Sequence, residues 1–291
     1  MSENWQVGNV IRMLRTANNF SQSDIADGIC TLSEISQIED NIKSPDSNTL
    51  HLLANRLGVD MNFFFEELES PKIHYAEDTI YLIRKFVEEK KYEEVGQVIE
   101  NERHNPIFHK PRFKQVILWH EALVVNYVKG DFKTALKLLY QALNMYQPSI
   151  HYTETQIQIL VSLGNLYGEN DHHAKAQSYY EKAILNYEKL TKLECPKIFL
   201  RILYNLTLTF IREHKYEDAL SRCEQGLQLC KETKSLYLLG EFHYQMANIH
   251  WFTGRLEEAN KEMTIAATIF DYTDNIQYKK FVSSKINEIN R

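Results

Sequence analysis

Polar side chains of matching chemistry recur along the C-terminal two thirds of the chain, about forty residues apart. The set comprises Gln158, Asn165, Arg201, Asn205, Glu241, Gln245 and Asn248. An Asn or Gln amide can donate and accept hydrogen bonds at once, which suits it to bind the backbone of an extended peptide whatever its side chains. Arg201 lies one helical turn before Asn205 and can bind a carboxylate, from either a C-terminus or an acidic side chain. This pattern predicts a peptide-binding surface.

The elements that position these side chains follow from a repeat in the sequence. Five anchor residues are each followed, three positions later, by a small apolar residue: Tyr92 by Val95, Phe132 by Ala135, His173 by Ala176, Tyr216 by Ala219 and Leu256 by Ala259. The anchors are 40, 41, 43 and 40 residues apart. A steady period in this range indicates a solenoid. Helical hairpins of this kind bury a core only by stacking, and the stack curves into a concave binding surface.

Alignment on the anchors places the polar residues eight, eleven and fifteen positions upstream, on the first helix of each hairpin. Steps of three and four residues stay on one side of a helix, so the set forms a stripe. The other residues found eight, eleven or fifteen positions before an anchor are Ile117, Glu121, Val124, Ser162 and Leu208. Such a stripe can instead be a solvated surface, or its asparagines can tie neighbouring helices together. The sequence leaves these interpretations open beside the peptide-binding one.

The motif Leu163-Gly164-x-x-Tyr167, followed by Ala176, Tyr180 and Ala183, resembles the signature of tetratricopeptide repeats. That resemblance implies an all-α solenoid of five helical hairpins, whose first helices line the concave groove. The period of the anchors exceeds the 34 residues of the standard repeat, so we expect longer helices. Residues 276–290 are expected to form a C-terminal capping helix for the stack.

Composition narrows the class of protein. The 291 residues include only 10 glycines and 6 prolines, which favours long helices over a β-sandwich. The net charge of −6 argues against a protein whose whole surface coats nucleic acid, although a local DNA-binding face remains possible. No leader segment and no apolar run of about 18 residues is present. We therefore expect a cytoplasmic protein that does not span a membrane.

The sequence offers no pattern typical of catalysis or of a metal site. The cysteines are Cys30, Cys195, Cys223 and Cys230, and none forms a C-x-x-C pair. His120-Glu121 lacks the second histidine of a zinc-protease helix, and no P-loop, nucleophile elbow or dinucleotide fingerprint occurs. We expect free thiols in a reducing compartment, no cofactor, no metal and no enzymatic activity.

The N-terminal segment has the pattern of a small bundle of helices. Val10, Ile11 and Leu14 share one side of a first helix, and Ser21 with Asp24 predicts a capping box at the start of a second. The following helix, residues 32–40, is polar outside and holds Ile35 and Ile38 inward. An amphipathic helix ending at Gly58 and a short closing helix over residues 61–68 complete the segment.

Taken together, these motifs over residues 6–68 resemble the five-helix Xre/Cro-type DNA-binding domain. The resemblance rests on Ile11-Arg12-x-Leu14-Arg15, Ser21-Gln22-x-x-Ile25-Ala26, the run from Ser33 to Glu39, and Leu50-x-x-x-Ala54-x-x-Leu57-Gly58. It implies that the helix from Ser33 to Asp40 enters the major groove and that Gln22 contacts a phosphate. The candidate DNA-binding residues are Gln22, Thr31, Ser33, Glu34, Ser36, Gln37 and Lys43. Gln can pair with adenine and Ser with a base edge or the backbone.

The charge of this segment departs from that of a strong DNA binder. Residues 1–66 hold four basic and nine acidic side chains, a balance of −5. Because phosphate neutralisation supplies much of the affinity for DNA, we expect weak binding by a monomer and a need for a dimer that holds two half-sites. The alternative is a degenerate helix-turn-helix kept for dimerisation or protein contact.

A helix-turn-helix segment followed by elongated repeats resembles the Rap/NprR/PlcR/PrgX group of peptide-pheromone receptors, and PlcR-type transcriptional regulators in particular. Matching stretches in the repeats are Gln115-x-x-x-Trp119, Gly164-Asn165-x-Tyr167, Tyr204-Asn205 and Tyr244-Gln245. The resemblance implies a homodimer that binds an operator in double-stranded DNA and a short re-imported signalling peptide, as in quorum sensing. It implies a DNA-binding domain over 1–68, a linker over 69–78 and a regulatory and dimerisation domain over 79–291.

Three other functions remain open from the sequence. The chain can be a regulator that acts without a peptide or senses a metabolite, or a scaffold whose groove holds a protein tail. A Rap-like inhibitor or phosphatase of a response regulator is the third. The helix-turn-helix segment argues against this last function, because Rap proteins carry a different helical bundle in that place.

Overall fold

The computed structural model describes residues 7–146, 152–190 and 196–275 together with positions 278, 282 and 285, and for residues 65–70 the backbone alone. All regular structure in these ranges is helical, which confirms the all-α prediction. The chain divides into two compact units. The first comprises Met1–Lys90 and Glu102–Phe113, and the second comprises Lys91–Asn101 and Lys114–Arg291. The domain limits expected at residues 68 and 78 stay predictions.

The described residues of the first unit form five helices: α1 (Val7–Ala17), α2 (Gln22–Ala26), α3 (Leu32–Glu39), α4 (Ser47–Leu57) and α5 (Met61–Glu88). The inward residues expected from the periodicity form its core, including Ile11, Ile25, Ile35, Ile38 and Leu53, all 2% exposed or less. A 3₁₀ turn over Pro106–His109 also belongs to this unit. The predicted five-helix domain is confirmed.

Local sequence explains where these helices begin and end. The capping box predicted at Ser21 and Asp24 is present, with both reciprocal hydrogen bonds formed. A second capping box, at Thr31 and Glu34, starts α3. Gly58 ends α4 in the left-handed region, at φ 75°, a conformation that glycine adopts without the steric cost of a Cβ.

Helix α5 is longer than the sequence patterns indicated. The closing helix expected over residues 61–68 and the linker expected over 69–78 lie in one helix that continues to Glu88 with Pro71 inside it. Ala76, Ile80 and Ile83 recur at helical spacing and are buried. This apolar stripe explains why the helix persists beyond a proline that would ordinarily end it.

In the part of the chain that the structure describes, nine helices follow: α6 (Tyr92–Glu102), α7 (Pro111–Tyr127), α8 (Phe132–Leu143), α9 (Glu154–Glu169), α10 (His173–Tyr187), α11 (Pro196–Arg212), α12 (Tyr216–Thr233), α13 (Leu239–Phe252) and α14 (Leu256–Tyr272). Each of the five anchors is the first residue of its helix. Three positions later, the small residues Val95, Ala135, Ala176, Ala219 and Ala259 are fully buried. The predicted spacing of the anchors is therefore confirmed, since each anchor begins the second helix of its hairpin. The total of five complete hairpins stays a prediction.

Close packing joins the helices of the second unit. The hairpins α9–α10, α11–α12 and α13–α14 are each packed internally, and α10 contacts α11 as α12 contacts α13. Gly164 lies so close to the ring of Tyr180 that a Cβ would come within 2.5 Å of it, and Gly226 meets Phe242 in the same way at 2.3 Å. These glycines have no side chain because an aromatic ring of the neighbouring helix occupies the space.

Three further expectations have partial outcomes. Cys223 and Cys230 are buried free thiols and Cys30 is a half-buried one, as expected, while Cys195 lies outside the described residues. Burial raises the pKa of Cys223 to about 12. The capping helix expected over 276–290 also lies outside the description, apart from helical positions 278, 282 and 285. Among the helices of the described ranges, none combines the length and apolar character needed to cross a bilayer.

Candidate functional sites

The exposed side of α3 carries three polar residues that the fold leaves available. Ser33 and Gln37 are exposed and Ser36 is half-exposed. In the described part of the chain, none of these three side chains has a hydrogen-bond partner. Their spacing of three and four residues places them on one side of the helix. Of the seven DNA-binding candidates, these are the ones with uncommitted donors and acceptors.

Three other candidates form a network at the start of α3. The Thr31 hydroxyl accepts a hydrogen bond from the Glu34 amide at 3.2 Å, and the Glu34 carboxylate accepts one from the Thr31 amide at 3.1 Å. Lys43 donates to the same carboxylate at 2.7 Å. The Lys43 ammonium, followed by the Thr31 amide, lowers the pKa of Glu34 to about 2. A DNA contact by these residues would have to compete with their internal partners.

A buried carboxylate lies at the other end of α3. Glu39 is 0% exposed, and Arg15 donates to both of its oxygens, at 2.6 and 3.0 Å. Arg12 donates at 3.3 Å and Gln22, the expected phosphate contact, at 2.9 Å. Burial raises the pKa of Glu39, but the hydrogen bonds from Arg15 and Gln22 outweigh it, so that the pKa is lowered overall. We call Glu39, Arg12, Arg15 and Gln22 the Glu39 cluster.

The Glu39 cluster was not among the predicted features, although the sequence carries a signal of it. Glu39 follows Ile35 by four residues and Ile38 by one, which places it at the edge of the inward side of α3. An acid at an inward position requires a cation within reach, and Arg12 and Arg15 are two of the four cations in the segment.

All four cations of residues 7–66 are engaged within the first unit. Arg12 and Arg15 bind Glu39, and Lys43 binds Glu34. Arg56 donates to the backbone carbonyls of Asp24 at 2.6 Å and Asp27 at 3.0 Å. Phosphates therefore have to draw these cations from existing partners, which strengthens the expectation of weak binding by a single copy.

In the second unit, all seven peptide-binding candidates lie along three first helices, with α11 in contact with both α9 and α13. We call them the polar ladder: Gln158 and Asn165 on α9, Arg201 and Asn205 on α11, and Glu241, Gln245 and Asn248 on α13. Each is buried or half-buried. The fold thus brings together the residues that the repeat alignment selected, and ligand contact by them stays a prediction.

Two side-chain hydrogen bonds of the polar ladder join α9 to α11. Asn205 Nδ2 donates to Asn165 Oδ1 at 2.8 Å, and the same oxygen accepts from the Tyr180 hydroxyl at 2.7 Å. Arg201 Nη2 donates to Gln158 Oε1 at 3.3 Å. The asparagines therefore do tie neighbouring helices. Among the described residues, however, Asn165 Nδ2 and Asn205 Oδ1 have no partner, so the bonded pair keeps one uncommitted donor and one uncommitted acceptor.

Between α11 and α13 the ladder continues through a tyrosine. Gln245 Nε2 donates to the Tyr204 hydroxyl at 3.3 Å, and Asn248 Nδ2 donates to Gln245 Oε1 at 3.3 Å. Burial raises the pKa of Tyr204 to about 12, so its hydroxyl stays protonated. The role of Tyr204 in joining these helices is visible only in the fold.

A similar bond joins the preceding helices. Trp119 on α7 is 5% exposed and donates from Nε1 to the Ser162 hydroxyl at 2.8 Å. The Ser162 hydroxyl in turn donates to the Gln158 backbone carbonyl at 3.1 Å. Trp119 on α7 and Ser162 on α9 therefore support the ladder from its N-terminal side.

Comparison with known families matches both parts of the chain. The family described as the RNPP family C-terminal domain matches residues 81–288, and a helix-turn-helix family matches residues 11–64. A comparison with curated protein sequences gave no match.

Solved structures resemble the chain over nearly its whole length. PlcR of Bacillus thuringiensis in its apo form is 22% identical, with a TM-score of 0.74 over 96% of this chain and 98% of PlcR. The complex of PlcR with the peptide PapR7 and DNA has a TM-score of 0.70 at 22% identity, over 95% and 98%. ComR from S. thermophilus, in complex with DNA and its signalling peptide ComS, has a TM-score of 0.57 at 13% identity, over 98% and 100%. At these identities the likeness concerns the fold.

The Glu39 cluster yields a prediction about stability. Glu39→Ala leaves Arg15 without its buried partner, which should lower the free energy of unfolding by about 3–5 kcal/mol. Hydrogen exchange of the α1–α3 amides in the full chain measures this loss. Asp40→Ala is the control, because Asp40 is exposed and forms only a surface pair with Arg12, and such pairs contribute about 1 kcal/mol or less. Equal effects of the two substitutions would contradict the assignment.

The same cluster predicts a dependence on pH. Since the pKa of Glu39 is lower in the folded protein than in the unfolded chain, its contribution is complete above the ordinary glutamate pKa and is lost as pH falls through the folded one. The difference in protection between the wild type and Glu39→Ala should therefore shrink in acid. A difference that is constant or grows with acidity would refute this sign.

The Glu34–Lys43 pair yields a prediction about DNA. Glu34→Gln keeps the capping box, which accepts Gln in that position, and releases Lys43 for phosphate. Affinity for a random-sequence duplex should rise, and the slope of log K against log salt should steepen by about 0.9 for one added phosphate contact. Fluorescence anisotropy across a salt series measures both. The double variant Glu34→Gln/Lys43→Gln should lose the gain, and a gain that persists would show that Lys43 is not its source.

Proposed function

The chain belongs to the RNPP family, and from that membership we propose that it is a DNA-binding transcriptional regulator of PlcR type, controlled by a short signalling peptide bound at the polar ladder. The observation that carries the proposal is the combination of uncommitted polar groups on α3 with uncommitted amide groups in the ladder. The solved relatives PlcR and ComR are complexes with both DNA and a signalling peptide. Regulation by cell density, as in quorum sensing, and a cytoplasmic location follow from the same proposal.

On the DNA side, α3 would lie in the major groove. Gln37 can bond adenine through two hydrogen bonds, and Ser33 and Ser36 can bond base edges or phosphates. These neutral groups supply specificity more than affinity, since the cations of the segment are internally paired. Two copies bound to two half-sites would compensate for the weak binding of each, and we therefore propose a homodimer.

On the peptide side, Asn165 and Asn205 would hold the ligand backbone. The free Asn165 Nδ2 can donate to a peptide carbonyl, and the free Asn205 Oδ1 can accept from a peptide amide. One donor and one acceptor on the same bonded pair match one peptide unit and its neighbour in an extended chain. The bond between the two asparagines at 2.8 Å fixes their orientation before the ligand arrives, which reduces the entropic cost of binding.

Control requires that the peptide favour one state of the protein over another, because equal affinity for both would shift nothing. The ladder offers a physical source of such a preference. Its hydrogen bonds join α9 to α11 and α11 to α13. A ligand that binds all three helices therefore favours the distance between the helices at which it makes all of its contacts. We propose that this spacing determines how two DNA-binding segments match their half-sites.

Gln37→Ala tests the DNA half of the proposal. Loss of the amide should reduce occupancy of specific sites, by about 1–3 kcal/mol for each lost base contact, without changing peptide binding. Chromatin immunoprecipitation of the tagged protein measures occupancy, with Gln228→Ala on α12 as an exposed control. Normal occupancy by Gln37→Ala would remove Gln37 from the residues that contact bases.

Asn205→Ala tests the peptide half. The substitution removes the uncommitted acceptor and the bond to Asn165, so peptide retention should fall about tenfold or more, consistent with the loss of buried hydrogen bonds. The probe is a synthetic library of linear heptapeptides, with retained peptides identified by mass spectrometry. The dimer and the thermal unfolding midpoint should change little, and Gln228→Ala, at an exposed position of α12, should behave as the wild type. Unchanged retention by Asn205→Ala would overturn the assignment of the ladder.

A further inference from the structure

We infer that the ligand of the polar ladder carries two opposite charges, a carboxylate that binds Arg201 and a cationic group that binds Glu241. The inference rests on the proposed function and specifies the chemical class of peptide that the site accepts. It is carried by two charged residues of the ladder that occupy equivalent positions on neighbouring helices. Each lies fifteen residues before the anchor of its own hairpin, Tyr216 or Leu256.

Arg201 has binding capacity that the fold does not use. Its Nε is buried and has no hydrogen-bond partner among the described residues. Its Nη2 makes one bond of 3.3 Å, to the neutral Gln158. A guanidinium has five donors arranged to bind both oxygens of a carboxylate. These donors require a carboxylate, and none pairs with Arg201 among the described residues.

Glu241 presents the complementary case on α13. It is half-buried, and in the ranges that the structure describes it forms no ion pair. Burial raises its pKa, the response of a carboxylate that is removed from water without a nearby cation. A cationic group from a ligand would supply the missing partner. The other way to relieve the cost is for Glu241 to hold a proton, and a site of that kind would show no preference for cationic ligands.

The geometry of the helices sets the spacing of the two charges. Helices in contact lie about 8–10 Å apart, and α11 contacts α13. An extended peptide advances about 3.3 Å per residue. Arg201 and Glu241 are therefore about three residues apart along a peptide that crosses the two helices. The site should accept peptides with a Lys or Arg about three positions from a carboxylate, and discriminate against peptides that lack either charge.

The test uses the full chain and two matched synthetic libraries of linear heptapeptides, one with free C-termini and one with amidated C-termini. Peptides retained by the protein are separated by size exclusion and identified by mass spectrometry. The wild type should enrich Lys or Arg about three positions from a carboxylate. Enrichment in the free-acid library alone assigns the carboxylate to the C-terminus, whereas enrichment of Asp or Glu in both libraries assigns it to a side chain.

Two charge-neutralising variants separate the charges. In Glu241→Gln, the enrichment of peptides that carry a cation should fall about tenfold, because removing one partner of a buried charge pair costs at least the corresponding free energy. The enrichment of peptides that carry a carboxylate should be kept. Arg201→Gln should do the reverse. Charge reversal in Glu241→Lys should shift the enrichment at that position from basic to acidic residues. The exposed Glu232→Gln on α12 is the control, and thermal unfolding verifies that each variant is folded.

The outcomes distinguish this inference from the function on which it rests. Retained peptides without a charge preference, or a preference that Glu241→Gln and Arg201→Gln leave unchanged, would overturn the inference and leave peptide control intact. Absence of any retained peptide in both libraries would contradict the proposed function itself, and the inference with it.

Discussion

Stacking is the constraint on which the second unit depends, because a helical hairpin cannot bury its apolar side alone. The residue three positions into each second helix, from Val95 to Ala259, is fully buried. Tyr180 packs where a Cβ at Gly164 would lie. These contacts place first helices side by side, so positions with equal offsets in the sequence become neighbours in space. The polar ladder is therefore a consequence of the packing, and its Asn165–Asn205 bond exists only because α9 and α11 are held in register.

The first unit depends on the neutralisation of a buried charge. Its buried Glu39 requires cations, and Arg12 and Arg15 supply them. Because Gln22 also binds Glu39, the cluster joins α1, α2 and α3 through one carboxylate. Charges that would otherwise attract DNA without regard to sequence thus stabilise the fold. The uncommitted groups on α3 are neutral, which favours discrimination between base pairs over strong binding.

Much of this structure was predictable from local patterns, and the remainder depends on contacts between distant residues. The anchors marked the first residue of each second helix, and the capping box at Ser21 and the glycine at position 58 marked helix limits, because these signals act within one turn. The Glu39 cluster joins residues 17 to 27 positions apart, and the Tyr204–Gln245 bond spans 41. Such pairs depend on how each helix is rotated and packed, which no local pattern specifies. Likewise, a proline ordinarily ends a helix, but α5 continues past Pro71 because its apolar stripe is buried.

Control of DNA occupancy by a peptide at the polar ladder can be tested in the cell. The measurement is chromatin immunoprecipitation of the tagged wild type and of Asn205→Ala, each at low and at high cell density. We expect the wild type to occupy palindromic sites in a manner that depends on density, and Asn205→Ala to give the same pattern at both densities. Occupancy that changes equally with density in both proteins would contradict control through the ladder, and no enriched site in either would contradict DNA binding.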